Sequence, residues 1–205
     1  MIRHKRCSLL LILILFTVHT ISTQTNASEK KNEEKIESIV EERRSVLQYG
    51  INEEILSVVN SLKEEADTVL TEDVLTVFKR TYNSNLIKAI ISYFIEIEYR
   101  GGEEYAFHLL QKYPEQNNDV LIQTINYLVE GEEKSTQWYE VMKEIAEEHD
   151  NTAVVSTAIK GISTSGNQQY VDFLLNLLED NGFPSEVKPN VILGLGELQS
   201  KKATS

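Results

Sequence analysis

The run Val191-Ile192-Leu193-Gly194-Leu195-Gly196 holds the strongest suggestion of chemistry in the chain. An apolar strand that enters a Gly-x-Gly turn is how dinucleotide-binding proteins set bare backbone amides against a pyrophosphate. That fingerprint needs a third glycine where Gln199 stands. It also needs a central strand, and Pro189 would remove one of its ladder hydrogen bonds. In a helix, by contrast, Pro189 falls in the tolerated first turn. Gly194 and Gly196 would then each cost about 1 kcal/mol relative to alanine. Close approach of a neighbouring helix is the expected compensation at both.

The other candidates are weaker. Gly161-Ile162-Ser163-Thr164-Ser165-Gly166 lacks the G-x-S-x-G spacing of a nucleophile elbow, and hydroxyls at a helix end are expected to bond the backbone. His108 and His149 lie far apart, neither with a histidine four residues on to make a zinc pair, so both are expected at the surface or rim. Glu132-Glu133 and Glu147-Glu148 are expected to be solvated helix ends, since a glycosidase pair needs a cleft. Tyr93, Phe94, Tyr99, Tyr105, Phe107, Tyr127, Trp138 and Tyr139 form the richest aromatic group. Most fall at core positions, with Tyr99, Trp138 and Tyr139 expected to be partly exposed. No catalytic, metal or cofactor residue is assigned, and a non-enzymatic protein is expected.

What would position these residues is a repeat. Val187, Val191, Gly194 and Leu195 define a frame of positions 1, 5, 8 and 9. The same frame fits Val154, Ala158, Gly161 and Ile162, then Val120, Thr124, Tyr127 and Leu128, then Leu86, Ile90, Tyr93 and Phe94, at steps of 33, 34 and 34 residues. A looser copy, Ile51, Ile55, Val58 and Val59, lies 35 residues further back. A fixed period in this range marks stacked supersecondary units. Each copy lays out as a helix pair: apolar residues at three- and four-residue steps, a break at Gly101-Gly102, Gly131 or Ser165-Gly166, then a second amphipathic stretch. The second stretches are 103–113, 135–149 and 168–180, joined to the next copy through Pro114–Asn118, His149–Asn151 and Asn181–Pro184. The expected fold is all-α, a right-handed α-solenoid of about five helical hairpins. Its copies cover about 51–84, 85–117, 118–150, 151–184 and an incomplete 185–199.

Val187-Lys188, Gly194, Leu195, Gly196 and Leu198 resemble the first helix of the short, lyase-type HEAT repeat, which opens on valine and a basic residue and ends on alanine-leucine-glycine and a further leucine. Ala158, Gly161 and Ile162 match in the preceding copy, where Ser163 replaces the glycine; Tyr93 and Tyr127 depart from the small position. The tetratricopeptide repeat shares the period, and Glu103–Gln116 resembles its second helix, but its other signature positions do not recur. Resemblance to HEAT-like proteins implies binding through a concave surface lined by second helices. The residues expected there are Glu103, Glu104, Gln111, Gln137, Glu140, Glu144, Gln168, Gln169, Asp172 and Asn176. Such repeats also resemble those of bilin lyases and serve as accessory modules of larger enzymes, which leaves as alternatives an accessory module or fragment of a larger enzyme and a tetratricopeptide-like adaptor.

The 205 residues, 41% hydrophobic, suit one domain or one short array. Arg3, Lys5 and Arg6, an apolar run from Leu9 to Val18 and a small polar stretch to Ala27 have the layout of a secretory signal peptide, 1–27. The run is shorter than the roughly 20 residues that span a bilayer. An exported, periplasmic or otherwise extracytoplasmic protein is expected, with no stable membrane insertion. Cleavage would remove Cys7, the one cysteine, and leave 17 basic against 32 acidic residues, a formal charge of −15. Such a surface repels nucleic acid and suits a cationic or polar protein partner. Residues 28–35 read as a charged linker, 36–50 as an N-terminal capping helix carrying Ile36, Ile39, Val40, Val46 and Leu47, and 200–205 as a tail. An incomplete last copy leaves an apolar edge and makes self-association an expectation.

Overall fold

A computed structural model describes residues 33–131 and 135–204, with side chains as far as 199. The expected signal peptide, Glu132, Glu133 and the side chains of the tail lie outside the described residues. The chain divides into two compact units, Met1–Val46 and Leu47–Ser205. In the first, 33–46 is helical, so the helix has already begun inside the stretch expected to be a linker. This helix, α1, runs from 33 to 49.

The second unit is helical throughout: α2 (Asn52–Glu65), α3 (Thr71–Arg80), α4 (Ser84–Glu96), α5 (Glu103–Gln111), α6 (Asn118–Glu130), α7 (Thr136–Glu148), α8 (Thr152–Thr164), α9 (Gln169–Glu179) and α10 (Lys188–Thr204). No strand occurs among the described residues. Helix α10 continues through the stretch expected to be a tail.

Asparagine starts three of these helices. Asn83, Asn117 and Asn151 hold extended backbone, and each Oδ1 accepts from two amides of the following turn, at 3.0 and 3.0, 3.0 and 3.3, and 3.0 and 3.1 Å. Two of the orphan donors at each helix start are thereby satisfied. The caps stand 34 residues apart, in step with the apolar frame.

Each even-numbered helix packs on the next: α2 on α4, α4 on α6, α6 on α8 and α8 on α10. Odd-numbered helices lean on their neighbours, with α3 against α4, α5 against α6 and α7, α7 against α8 and α9 against α10. Of the 20 frame positions all but Ile51 and Val58 are buried, so the frame is the set of side chains that closes these contacts. Both exceptions belong to the loosest copy.

In the last four copies position 8 is filled in two ways. Tyr93 and Tyr127 are fully buried, and each hydroxyl donates to a carbonyl in the preceding hairpin turn, Tyr93 to Asp67 at 2.7 Å and Tyr127 to Tyr99 at 2.8 Å. Phe94 sits between these rings, 5.8 Å from Tyr93 and 6.2 Å from Tyr127, with Phe78 and Tyr99 also against it. In the last two copies glycine takes the position. A β-carbon on Gly161 would lie 2.8 Å from Met142 Sδ and 3.2 Å from Ile125 Cγ2 and Val129 Cγ1. One on Gly194 would collide with Ser163 Oγ. Gly196 differs: it is exposed and nothing lies within 4 Å of its would-be β-carbon. The expected packing role therefore holds for Gly194 and fails for Gly196, which points away from α8.

The hairpin turns also depart from expectation at one point. Chain reversal after α2 and α4 uses Ala66 (φ 49°) and Glu98 (φ 54°) in the left-handed region, ahead of Gly101-Gly102. Asp67 N to Leu62 O and Tyr99 N to Phe94 O, both 2.9 Å, close the same six-to-one loop in each. After α8 the left-handed residue is Gly166, as expected. Basic side chains finish other helix ends: Lys188 Nζ donates to Leu178 O and Asp180 O, 2.9 Å each, and Arg100 to Tyr127 O at 2.6 Å.

Candidate binding surface

Ser163, Thr164 and His149, among the residues that first suggested chemistry, bond to backbone. Ser163 Oγ donates to Ile159 O at 2.8 Å and is buried against α10; Thr164 Oγ1 donates to Gly161 O at 2.7 Å. His149 Nδ1 accepts from Asn151 N at 3.0 Å, and the residue is half-buried. His108 is exposed. No group of three or more metal-binding side chains occurs among the described residues, and no helix there is long and apolar enough to cross a membrane.

The second helices do present polar side chains outward. Glu104, Gln111, Gln137, Glu140, Glu144, Gln168, Gln169, Asp172 and Asn176 are exposed, and Glu103 is half-buried beside Arg100. Amphipathic spacing produces this division: Trp138, Tyr139, Met142, Ile145 and Ala146 line the inner face of α7, and Tyr170, Phe173, Leu174 and Leu177 that of α9. Trp138 (9% exposed) and Tyr139 (3%) are therefore core residues, against the expectation of partial exposure. Their polar sequence neighbours hide the fact that α8 and Tyr170 cover them, the latter with its ring 6.0 Å from that of Tyr139. Tyr99 is half-buried as expected.

Helices α7 and α9 are tied side by side by the Tyr170 hydroxyl, which donates to Glu140 Oε1 at 3.0 Å. Burial first, and then the Glu140 carboxylate against an opposing bond from Gln169, pushes Tyr170 up to about 12. Further along the pair a groove of about 640 Å³ opens between Lys143 and Glu147 on α7 and Gln169, Phe173, Asn176, Leu177, Asp180 and Phe183 on and after α9. Two of the expected binding residues, Gln169 and Asn176, lie in it. The others, Glu103 apart, are exposed elsewhere on α5 and α7, on α9 and, at Gln168, just before it.

The groove has an aromatic floor and an acidic rim. Phe173, Leu177 and Phe183 are buried as deeply as Trp138, at 8, 7 and 9% exposed, and meet the groove as lining residues. Lys143 Nζ lies 5.4 Å from the Phe173 ring centroid, a cation–π contact. Across α7 and α9 it is the one basic residue among the acids Glu140, Glu144, Glu147, Glu148, Asp172 and Glu179. Sequence reasoning passed over Lys143, Phe173 and Phe183. The available signal was that lone cation on an acidic helix face.

A second cleft, of about 560 Å³, lies among the loops around Tyr113, Glu148 and His149. There the Tyr113 hydroxyl donates to Glu148 Oε2 at 2.7 Å, and this bond, more than burial, pushes Tyr113 up to about 12. Its lining combines Tyr113 and Pro114 with polar and acidic residues, and its surface is as polar as that of the α7–α9 groove.

No protein-family model, curated protein or solved structure matches the chain. The function is therefore argued from the geometry of α5, α7 and α9.

Proposed function

We propose that the protein is an exported, non-enzymatic scaffold or adaptor, built as a right-handed α-solenoid of HEAT-like repeats, that binds a protein partner through its second helices. The observation that carries this is the groove between α7 and α9, where polar and acidic residues surround a floor of Phe173, Leu177 and Phe183. Such a floor with a polar rim is the anatomy of a protein-binding patch. The serial packing of α2, α4, α6, α8 and α10 supports the solenoid, because in repeat arrays each unit touches its neighbours only. The acidic balance of the chain, −12 overall, supports a partner of opposite charge.

Capture from an envelope extract with the mature chain as bait, followed by cross-linking and peptide mapping, tests the proposal. The expected result is a partner cross-linked to α5, α7 or α9, retained at low salt and weakened at moderate salt. Enrichment of nothing at either salt concentration, or cross-links confined to α2, α4, α6 and α8, overturns it.

A further inference from the structure

We propose that the groove between α7 and α9 receives a basic segment of the partner protein, with one arginine or lysine laid over the Phe173 ring where Lys143 now lies. The proposal deepens the adaptor reading and rests on it. Lys143 is the chain's own indication of what the groove accepts: its ammonium group sits 5.4 Å from the Phe173 centroid, although six acids share α7 and α9 with it. The ring face attracts a cation, and the surrounding carboxylates raise the local cation concentration.

The geometry selects the class of ligand further. Glu147 and Asp180 line the groove, while Gln169 and Asn176 add neutral acceptors. A guanidinium is planar, stacks on an aromatic face and offers five donors in a fixed fork, so it engages ring and rim together; an ammonium engages the ring as a point charge. Leu177 and Phe183 extend the apolar floor beyond Phe173, which suits the aliphatic stem of a long basic side chain. Anionic ligands meet repulsion from every acid of the pair, so acidic peptides are excluded by the same charges.

An incoming cation must displace Lys143, and this gives the proposal its signature. Lys143→Ala removes the competitor as well as a charge, so affinity rises. Lys160→Ala on α8 removes the same charge from a surface outside this groove and serves as the control. Phe173→Leu keeps every charge and removes the ring.

The test is fluorescence anisotropy of the full mature chain with a labelled nine-residue arginine-alanine peptide, the same peptide with citrulline for arginine, and a glutamate-alanine peptide. Binding of the arginine peptide alone is expected, tightened by Lys143→Ala and unchanged by Lys160→Ala. Phe173→Leu is expected to weaken it by about two- to fivefold, the effect of an exposed cation–π contact. Because Lys143 is partly exposed, its variant keeps the test decisive should Phe173→Leu disturb folding. Equal binding of arginine and citrulline peptides, or equal shifts from Lys143→Ala and Lys160→Ala, overturns the proposal. If the basic peptide fails while a captured partner still cross-links to α5, α7 or α9, the basic-segment proposal falls and the adaptor reading stands. If both fail, both fall.

Discussion

Gly194 and Gly196 stand two residues apart on α10, and replacing each by alanine should move stability in opposite directions. Both gain about 1 kcal/mol of helix propensity, because glycine loses more backbone freedom on folding. At Gly196 nothing opposes the gain, since no atom lies within 4 Å of the new methyl. Gly196→Ala should therefore stabilise by about 1 kcal/mol, a rise in Tm of roughly 2–4 °C for a chain of this size. At Gly194 the methyl meets Ser163 Oγ, on a side chain that is fully buried and tied to Ile159 O. Overpacking of this kind costs about 1–3 kcal/mol, which leaves a net loss of about 1 kcal/mol. Ser163→Ala removes the oxygen, after which the nearest atoms are Ser163 Cβ at 3.4 Å and Leu174 Cδ1 at 3.6 Å, ordinary contacts. In that background Gly194→Ala should regain its propensity benefit, a coupling of about 2 kcal/mol in a double-mutant cycle. Urea unfolding followed by circular dichroism measures all four variants. The close approach of α10 to α8 is refuted if Gly194→Ala stabilises as much as Gly196→Ala, or if the cycle closes with no coupling.

Three further outcomes are expected. Tyr127→Phe removes a buried donor and leaves Tyr99 O unpaired, at a cost of about 1–2 kcal/mol in urea unfolding, with the aromatic packing around Phe94 intact. Asn117→Ala strips the cap of α6 and should cost about 1 kcal/mol, whereas Asn117→Ser should keep most of it. Tyr113 and Tyr170 have folded pKa values raised to about 12 from an ordinary 10.0, so their contribution is complete below pH 10 and is lost as pH rises towards 12. Thermal melts from pH 8 to 11.5 should fall above pH 10, less steeply in Tyr113→Phe, with tyrosinate absorbance as the parallel measurement.

The helical fold and its period were legible because burial imposes a repeated requirement on side-chain type. Val120, Thr124, Tyr127 and Leu128 close one helix contact, and the residues 34 positions away close the next, so the frame recurs even where tyrosine replaces glycine. The asparagine caps at 83, 117 and 151 carry the same period in a second, independent form. A frame built from apolar residues passes over them, since their role is to satisfy amides. Gly196 was separable from Gly194 in principle: two residues turn a helix by about 200°, so the pair cannot share a face. The groove was not legible in the same way. Its existence depends on how far apart α7 and α9 sit, and no single helix's pattern encodes that distance. For the same reason Trp138 and Tyr139, next to Gln137 and Glu140, carry no sign of the two helices that cover them.

The exchange at position 8 links the fold to the surface. In the copies at 86 and 120 a tyrosine fills the space and sends its hydroxyl to the preceding hairpin turn, so the junction is held by a buried hydrogen bond. In the copies at 154 and 187 a glycine leaves the space to the neighbour, Met142 in one and Ser163 in the other. Such a junction depends on close packing and has no anchoring hydroxyl at that position. The groove at Phe173 and Lys143 is built by α7 and α9, which pack against α8 and α10, the helices that carry these two glycines. Two packing solutions thus divide the unit, an aromatic half centred on Phe94 and a glycine half, formed by α8 and α10, against which α7 and α9 pack. A Gly-x-Gly stretch that resembles a phosphate cradle is, on this structure, a helix segment. Gly194 faces inward against α8, and Gly196 lies on the outside.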